Sequence, residues 1–238
     1  MTRVAGEGVG SSAPREMHTV RLYDEHRDLY YTKPLLRGWL HLVWFGSSLV
    51  LGPLLLAQAH GALAFSALAI YAATVTGLFG TSALYHRGNW GPAAARRLQR
   101  LDHTMIFFLI AGTATPVFLL TTHSTWSRIS LVLMWSLTLL ASGIHLVWMH
   151  APEALVGATF IGLGSVAALA LPAVWTHVGV AAAVLLLAGG LLYIAGALSY
   201  YHRWPDPAPK VFGYHEVFHA YVCAAAACQF VSIAVFVA

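Results

Sequence analysis

Residues 213–236 read GYHEVFHAYVCAAAACQFVSIAVF. This stretch is long enough to cross a bilayer as a helix, which takes roughly 20 predominantly apolar residues. Its ionisable His and Glu residues gather at the start, because His215, Glu216 and His219 fall within one short run. An acid and two histidines are costly in lipid and mark functional positions. The stretch therefore predicts a membrane-spanning helix that carries a functional site at one end.

The composition supports a membrane protein. The chain has 238 residues, of which 58% are hydrophobic and 9% are charged. A soluble domain carries about 25% charged residues, so this chain lacks the polar side chains needed to cover itself in water. Five of its nine acids lie within the first 28 residues. The acids in the apolar part therefore need an explanation, and they are Asp102, Glu153, Asp206 and Glu216.

The apolar stretches predict an all-α integral membrane protein with a seven-helix transmembrane bundle over residues 34–238. The predicted spans are residues 38–59, 62–85, 103–122, 127–149, 154–175, 178–200 and 213–236. The segment HRGNWGPAAARR (86–97) is predicted to be a polar loop, and the break PAVWTHVG (172–179) is the weakest of the six.

Residues 1–33 are predicted to form a polar cytoplasmic segment before the first span. The composition of residues 1–14 is typical of disorder. Residues 15–33 combine basic side chains with Leu and Tyr, which predicts a short amphipathic helix at the membrane surface. The segment has no apolar core of the kind that a cleavable signal peptide requires.

The basic residues predict the orientation in the membrane. Lys and Arg number six in residues 1–37, four in residues 87–100 and two in residues 203–210, all on one predicted side. Arg128 alone lies on the other side. Cytoplasmic loops carry the excess of Lys and Arg, so the N-terminus is predicted inside and the C-terminus outside the plasma (inner) membrane. The basic balance thus reflects membrane topology and implies no nucleic-acid partner.

The pair His215 and His219 predicts a metal site. Residues four apart share one helix face, with about 5–6 Å between their Cβ atoms. The spelling H-E-x-x-H is typical of zinc proteases, but the residues after His219 contain no His, Asp or Glu as a third ligand. His86 ends the second predicted span at the same membrane depth. Three histidines with one open position are typical of a catalytic zinc site, and copper and nickel remain alternatives.

Two further residues lie at the predicted depth of the histidines. Asp102 begins the third predicted span, where its carboxylate can hold a metal-bound water and accept its proton. Ser82 precedes His86 by one turn, and its hydroxyl can orient that water or donate to a developing oxyanion. The alternatives are that Asp102 caps the helix start and that Ser82 is a small packing residue.

Other candidates are weaker. His41, His103 and His145 lie near the same predicted end of the bundle, whereas His60 and His177 lie at the outer side. Glu216 is one position round the helix from His215 and is expected to face a neighbouring helix or the interface. Cys223 continues the His219 face one turn deeper, where packing is the commoner role.

Four motifs resemble those of one family. SALYHR (82–87) resembles the Ser-x-x-x-His motif that closes the second helix of hemolysin III proteins and of the related progestin and adipoQ receptors (PAQR). LDHTMIFFLIAGTATP (101–116) is similar to their third-helix signature, and GYHEVFHAY (213–221) to their seventh-helix His-x-x-x-His. KPLLRGWLH (33–41) resembles the start of helix one in the bacterial members. The resemblance runs from about residue 24 to the end.

The resemblance implies a seven-helix fold with an inside N-terminus and a zinc near the cytoplasmic face. It implies His86, His215 and His219 as the ligands of Zn²⁺, with Asp102 and Ser82 beside the zinc-bound water. Eukaryotic members are receptors, and the fold and site resemble those of alkaline ceramidases, which are zinc-dependent lipid amidases. Bacterial members were named for haemolytic pore formation and are also tied to membrane-lipid homeostasis.

These observations favour a zinc-dependent hydrolase that acts on an amide or ester of a membrane lipid, in membrane-lipid homeostasis. One alternative is a non-catalytic regulator or receptor in which zinc is a structural clamp between helices two and seven. A second is an oligomeric pore-forming haemolysin, since the apolar spans five and six disfavour a pore within one chain. The third is an intramembrane metalloprotease that uses H-E-x-x-H.

The orientation can be tested directly. We expect a reporter that works only outside the cytoplasm to be active when it is fused after Ala238, because the basic residues place that terminus outside. The control is the same reporter fused after Gly88, in a loop that the prediction places inside. A cytoplasm-specific reporter that is active only after Ala238 contradicts the predicted topology.

Overall fold

The computed structural model describes residues 21–24, 29–121, 124–148 and 152–238, in two units, Met1–Lys33 and Pro34–Ala238. In the first unit, strands β1 (Arg21–Asp24) and β2 (Leu29–Thr32) pair antiparallel. These residues form strands rather than the predicted interfacial helix, in keeping with the high strand propensity of their Tyr and Thr side chains. Residues 1–14, 15–20 and 25–28, which the sequence analysis also addressed, lie outside the described residues.

The second unit is helical and has the predicted seven spans. Its helices are α1 (Trp39–Leu56), α2 (Ala62–Arg87), α3 (Pro92–Leu120), α4 (Thr125–Val147), α5 (Glu153–Ala168), α6 (Leu171–His177), α7 (Val180–His202) and α8 (Tyr214–Ser232), which a π-helical turn (Ile233–Val237) extends. Seven segments are long and apolar enough to cross a membrane. The helices α5 and α6 together make one of them, and α8 with its π-helical turn makes another. The predicted seven-helix fold is thus confirmed.

The third span begins earlier than predicted. Helix α3 starts at Pro92, so residues 92–97 are helical and the polar loop before it is shorter than expected. Proline suits the first turn of a helix, where its missing N–H would have no partner, and the three alanines that follow have the highest helix propensity. Arg96 and Arg97 remain exposed. Asp102 therefore lies well inside α3 and does not begin it.

The fifth span is interrupted at residues 169–170, just before the predicted break at residues 172–179, most of which is helical. Helix α5 ends at Ala168, and α6 begins at Leu171 with Pro172 in its first turn. Proline lacks the N–H that a continuous helix would need at this point. The chain then turns into α7 at Gly179, whose φ of 133° is open to glycine but strained for other residues.

Helix α3 is the centre of the bundle. In its most apolar stretch 61% of residues are buried, against at most 39% in the other six spans. It packs against α2, α4 and α5, while α1 and α7 each pack on α8. The close approach of α2 and α3 depends on Gly112, since a Cβ there would lie 2.0 Å from Thr74 Oγ1. Large apolar side chains cover much of the outer surface, as expected of a protein in lipid.

The alternating direction of the spans brings particular helix ends together. The starts of α1, α3 and α8 lie at the same end of the bundle as the ends of α2, α4 and α7. We call this the histidine end, because His41, His86, His145 and the pair His215 and His219 all belong to it.

Candidate metal centre

Three histidines meet at the histidine end. His86 comes from the last turn of α2, and His215 and His219 come from the first two turns of α8. One ring nitrogen from each lies within 4.8 Å of the other two, and His86 Nε2 is 3.3 Å from His215 Nε2. His86 and His219 are buried, and His215 is half-buried. The fold therefore brings the three predicted ligands together.

The cluster has the donor set of a metal site. The three rings face one another at interplanar angles of 60–77°, so their nitrogens converge and the rings do not stack. His219 Nδ1 is buried and has no hydrogen-bond partner among the described residues. Buried polar atoms nearly always have a partner, so an unpaired one calls for an explanation. The cluster can hold a divalent ion for which imidazole is a good ligand, and zinc, copper and nickel all qualify.

Asp102 lies beside the cluster. Its Oδ2 is 3.6 Å from His86 Nε2. The residue is 8% exposed and sits three turns into α3. Because α3 begins at Pro92, the alternative reading of Asp102 as a helix cap is wrong. A buried carboxylate inside the bundle needs partners, and those available here are the side chains of the site.

Ser82 and His41 form the other side of the cluster. Ser82 is buried one turn before His86, and its Oγ is 2.7 Å from His41 Nδ1. The His41 ring also stacks on His219, with centroids 3.8 Å apart and planes 12° from parallel. From the sequence, His41 was expected to be only a weak candidate for the metal site. Its position in the first turn of α1, at the same end of the bundle as the end of α2, was the sequence feature that could have indicated its contact with the site.

The remaining candidates lie elsewhere. His103 and His145 face each other across α3 and α4, with ring centroids 5.6 Å apart, and neither belongs to the cluster. Cys223 is half-buried, carries a free thiol and is also outside the cluster. His60 and His177 are exposed at the opposite end of the bundle, as predicted.

Glu216 pairs with an arginine and caps a helix instead of facing the histidine cluster. Its Oε1 accepts a hydrogen bond from Arg37 Nε, and its Oε2 accepts a hydrogen bond of 2.8 Å from the backbone N–H of Gly213. The second bond caps the start of α8. Glu216 is 1% exposed and both of its oxygens have partners. It is therefore not free to act as the general base that a protease of the H-E-x-x-H type requires, which argues against that alternative.

A short segment before α1 lies against the centre. We call Pro34–Gly38 the strap. The backbone N–H groups of Leu35 and Leu36 donate to the carbonyl oxygens of Lys210 and Val211, each at 3.0 Å. Gly38 has a φ of 77°, and a Cβ there would lie 2.7 Å from His86 Cβ. Glycine thus lets the strap pass directly against a predicted ligand.

The comparisons with known proteins agree with the four motifs. The family described as "Haemolysin-III related" matches residues 29–230, which include every residue of the centre. The protein called "Hemolysin-3 homolog" from Bacillus subtilis (strain 168) is 30% identical over 135 residues, which are 56% of this chain and 60% of that protein. The match therefore spans less than two thirds of that relative. "Hemolysin-3" from Bacillus cereus is 28% identical over 184 residues, which are 76% of this chain and 80% of that protein.

The ion pair between Arg37 and Glu216 should matter for stability. Arg37→Gln leaves a buried carboxylate without its cation, so we expect the free energy of unfolding to fall by about 3–5 kcal/mol. The matched control is Arg87→Gln. Arg87 lies 4.2 Å from the centroid of the partly exposed Trp39 ring, and a contact of this kind contributes only about 0.5–1 kcal/mol. Denaturant unfolding in detergent micelles measures both, and equal losses would contradict the structural role of the pair.

Proposed function

The chain belongs to the haemolysin-III-related family, and from that premise we propose that it is a zinc-dependent hydrolase of an amide or ester bond in a membrane lipid. The observation that carries the proposal is the composition of the centre. Three converging imidazoles have the Asp102 carboxylate on one side, and the Ser82 hydroxyl is buried one turn before His86. This combination suits hydrolysis, in which a water must be held, lose a proton and attack a carbonyl carbon.

Each residue has a defined part in the proposed reaction. His86, His215 and His219 would hold the ion. When bound, zinc supplies a Lewis acid that makes water a stronger nucleophile at neutral pH. The Asp102 carboxylate accepts a hydrogen bond from the attacking water and takes its proton, and it would return that proton to the leaving amine or alcohol when the C–N or C–O bond of the substrate breaks. The Ser82 hydroxyl would orient that water from its buried position one turn before His86.

The position of the centre favours a lipid substrate. The cluster lies at the ends of membrane-spanning helices, in the first turns of α8 and the last turn of α2. The amide and ester groups of lipids lie at a similar depth, between the head groups and the hydrocarbon. A lipid can therefore present its carbonyl to the centre while its acyl chain stays among the helices. On the predicted orientation, this would be the cytoplasmic leaflet.

The strap would have to move when substrate enters. A crevice lined by α1, α2 and α8 has about 10 Å³ of space, enough for one water molecule. A larger crevice of about 200 Å³ lies between α6 and α7, towards the opposite end of the bundle. Neither is lined by a residue of the centre. Because Gly38 of the strap passes directly against His86, displacement of the strap would open the centre to substrate.

The second candidate function is a regulator in which the ion is a structural clamp. Its support is that the cluster joins α2 to α8, and that Asp102 is close enough to become a fourth ligand after a small shift. A closed, four-ligand site is typical of structural zinc. A lytic function, such as the names of the relatives describe, would need several chains, because α6 and α7 carry no Asp, Glu, Lys or Arg to line a channel.

Zinc content tests the ligand set. We expect purified protein to carry one Zn²⁺ per chain and His219→Ala to lose it. The control is His145→Ala, which removes a buried histidine at the same end of the bundle but outside the cluster. Elemental analysis gives the stoichiometry, and removal of the ion with a chelator should lower the temperature of unfolding, since the ion ties two helices together. Stoichiometric zinc in His219→Ala would overturn the assignment.

Lipid turnover tests the roles of Asp102 and Ser82. Zinc-loaded protein is incubated with total membrane lipid, and mass spectrometry compares the products with those of His215→Ala. Asp102→Asn keeps a similar shape but cannot take a proton, so we expect zinc to stay bound while turnover falls on the order of 10²–10⁴-fold. Ser82→Ala should lose less.

Saturating zinc is needed in this assay, because changes beside the ligands can weaken metal binding by about 10–100-fold. If Asp102→Asn cannot hold zinc even then, Asp102 is a ligand and the structural clamp is the better account. Turnover that survives the substitution with zinc bound would show that Asp102 is not the base.

A further inference from the structure

Helix α4 buries a polar face. Its buried residues are Met134, Thr138, Ser142 and His145. Its other sides carry exposed apolar side chains such as Leu139. Thr138, Ser142 and His145 follow one another at intervals of four and three residues, so they share one face of the helix. We call these three residues the polar row. It lies apart from the metal cluster, which contains none of its members.

Each member of the polar row has a buried polar atom without a hydrogen-bond partner in the described part of the chain. These atoms are Thr138 Oγ1, Ser142 Oγ and His145 Nδ1, and their residues are 0%, 5% and 9% exposed. Other helix hydroxyls of this protein donate to the carbonyl oxygen four residues earlier, as Thr115 does to Ala111 at 2.7 Å. That bond is the local one open to a Ser or Thr in a helix. The polar row does not use it, so it calls for a partner that its own helix does not supply.

The polar row lies alongside helix α3. Trp135, one turn before the row, donates from Nε1 to Thr115 Oγ1 at 3.1 Å. At the other end of the row, the ring centroids of His145 and His103 are 5.6 Å apart. Helix α3 therefore runs along the row from one contact to the other. Thr104 lies on the same side of α3 as Thr115, because about three helical turns separate the two residues. Its Oγ1 is also buried and unpaired among the described residues.

The spacing of the polar row suits water. A helix rises about 1.5 Å per residue, so Thr138 and Ser142 are about 6 Å apart along the axis, and Ser142 and His145 about 4.5 Å. One water molecule with two hydrogen bonds of about 2.8 Å bridges a gap of about 5–6 Å. The partner must be small, because Thr138 is fully buried. A partner that both donates and accepts matches a hydroxyl and a ring nitrogen in either role. Water has these properties, and buried polar sites commonly hold it.

We propose that ordered water molecules bind along the polar row, one joining Thr138 to Ser142 and one joining Ser142 to His145, with Thr104 of α3 as a further partner of the second. Water then takes the place of direct side-chain hydrogen bonds along this stretch of the contact between α3 and α4. The waters form a polar route from the histidine end into the bundle, on the side of α3 that faces α4. Asp102 instead meets His86 of α2, so the water site is separate from the candidate metal centre. A failure of the proposed hydrolase activity leaves the inference standing.

Water-edited solid-state NMR tests the site. It measures how soon magnetisation from water protons reaches a labelled side chain, here in protein with ¹³C-labelled threonine in bilayers of total membrane lipid. We expect Thr138 to receive it early and Thr115 late. Thr115 is the matched control, because it is also buried, at 1% exposed, but its hydroxyl is paired with protein atoms. Thr138→Ser and Thr115→Ser assign the two signals by their loss and keep both hydroxyls. Transfer to Thr138 as late as that to Thr115 would overturn the proposal.

A further variant tests whether the residues bind water as a row. Ser142→Ala removes the hydroxyl that both waters share, so we expect the early transfer to Thr138 to be lost. The matched control is Ser165→Ala in α5, whose hydroxyl donates to the carbonyl oxygen of Ile161 at 2.8 Å. This control should leave the transfer unchanged. The temperature of unfolding, measured on the same samples, shows which variants are folded. Early transfer to Thr138 that survives in folded Ser142→Ala would contradict the row.

Thermal unfolding tests the Thr138 hydroxyl independently. Thr138→Val keeps the shape of the side chain and removes the hydroxyl. A buried hydroxyl without a partner is costly, so its removal raises the temperature of unfolding, whereas removal of a hydroxyl that binds water lowers it. We expect a lower temperature for Thr138→Val, with Thr115→Val as the reference for a hydroxyl that is paired with protein atoms. An unchanged or higher temperature for Thr138→Val means that no water is bound there.

Discussion

The hydrocarbon core of a bilayer cannot hydrogen-bond to a peptide group, and this single constraint shapes the whole second unit. Each span must satisfy its own backbone, so the chain crosses as helices. The same solvent makes every ionisable side chain costly unless it finds a partner. With the exception of His177, the histidines and acids of the spans accordingly gather at the histidine end of the bundle. There the helix starts and ends approach one another, and the side chains become each other's partners.

The number of spans and the shared bundle end of the three histidines were predictable from the sequence, whereas the rotation of each helix and the contacts between distant helices were not. Long apolar runs set the spans, and counting along them placed His86 level with His215 and His219. The predicted start of α3 was wrong because its first turns are rich in alanine and arginine. These residues favour a helix but do not make the long apolar run by which a span is recognised. The stack of His41 on His219 depends on how α1 and α8 are turned, and the bond between Arg37 and Glu216 joins residues 179 apart. No local pattern encodes either contact.

The H-E-x-x-H motif shows that the same residues can have different roles in different structural surroundings. In α8 the two histidines face the cluster, while Glu216 turns toward Arg37 and the backbone of Gly213. The carboxylate at the centre comes from α3 instead. The spacing of a motif predicts which side chains share a helix face. The contacts with neighbouring helices determine which of those side chains keeps an atom available to bind a metal or a substrate. The site must therefore be read from all of its helices together.

The strap has a consequence for how the protein is made. It comes before the first span, and its backbone and ion-pair partners lie at Lys210, Val211 and Glu216, around the start of the last span. Synthesis runs from the N-terminus, and spans enter the membrane in that order. The strap therefore cannot form its hydrogen bonds and ion pair until nearly the whole polypeptide has been made. Until then Arg37 has no carboxylate and His86 has no second imidazole from α8. A chain halted during synthesis thus has no centre, and the docking of α8 is the assembly step that completes it.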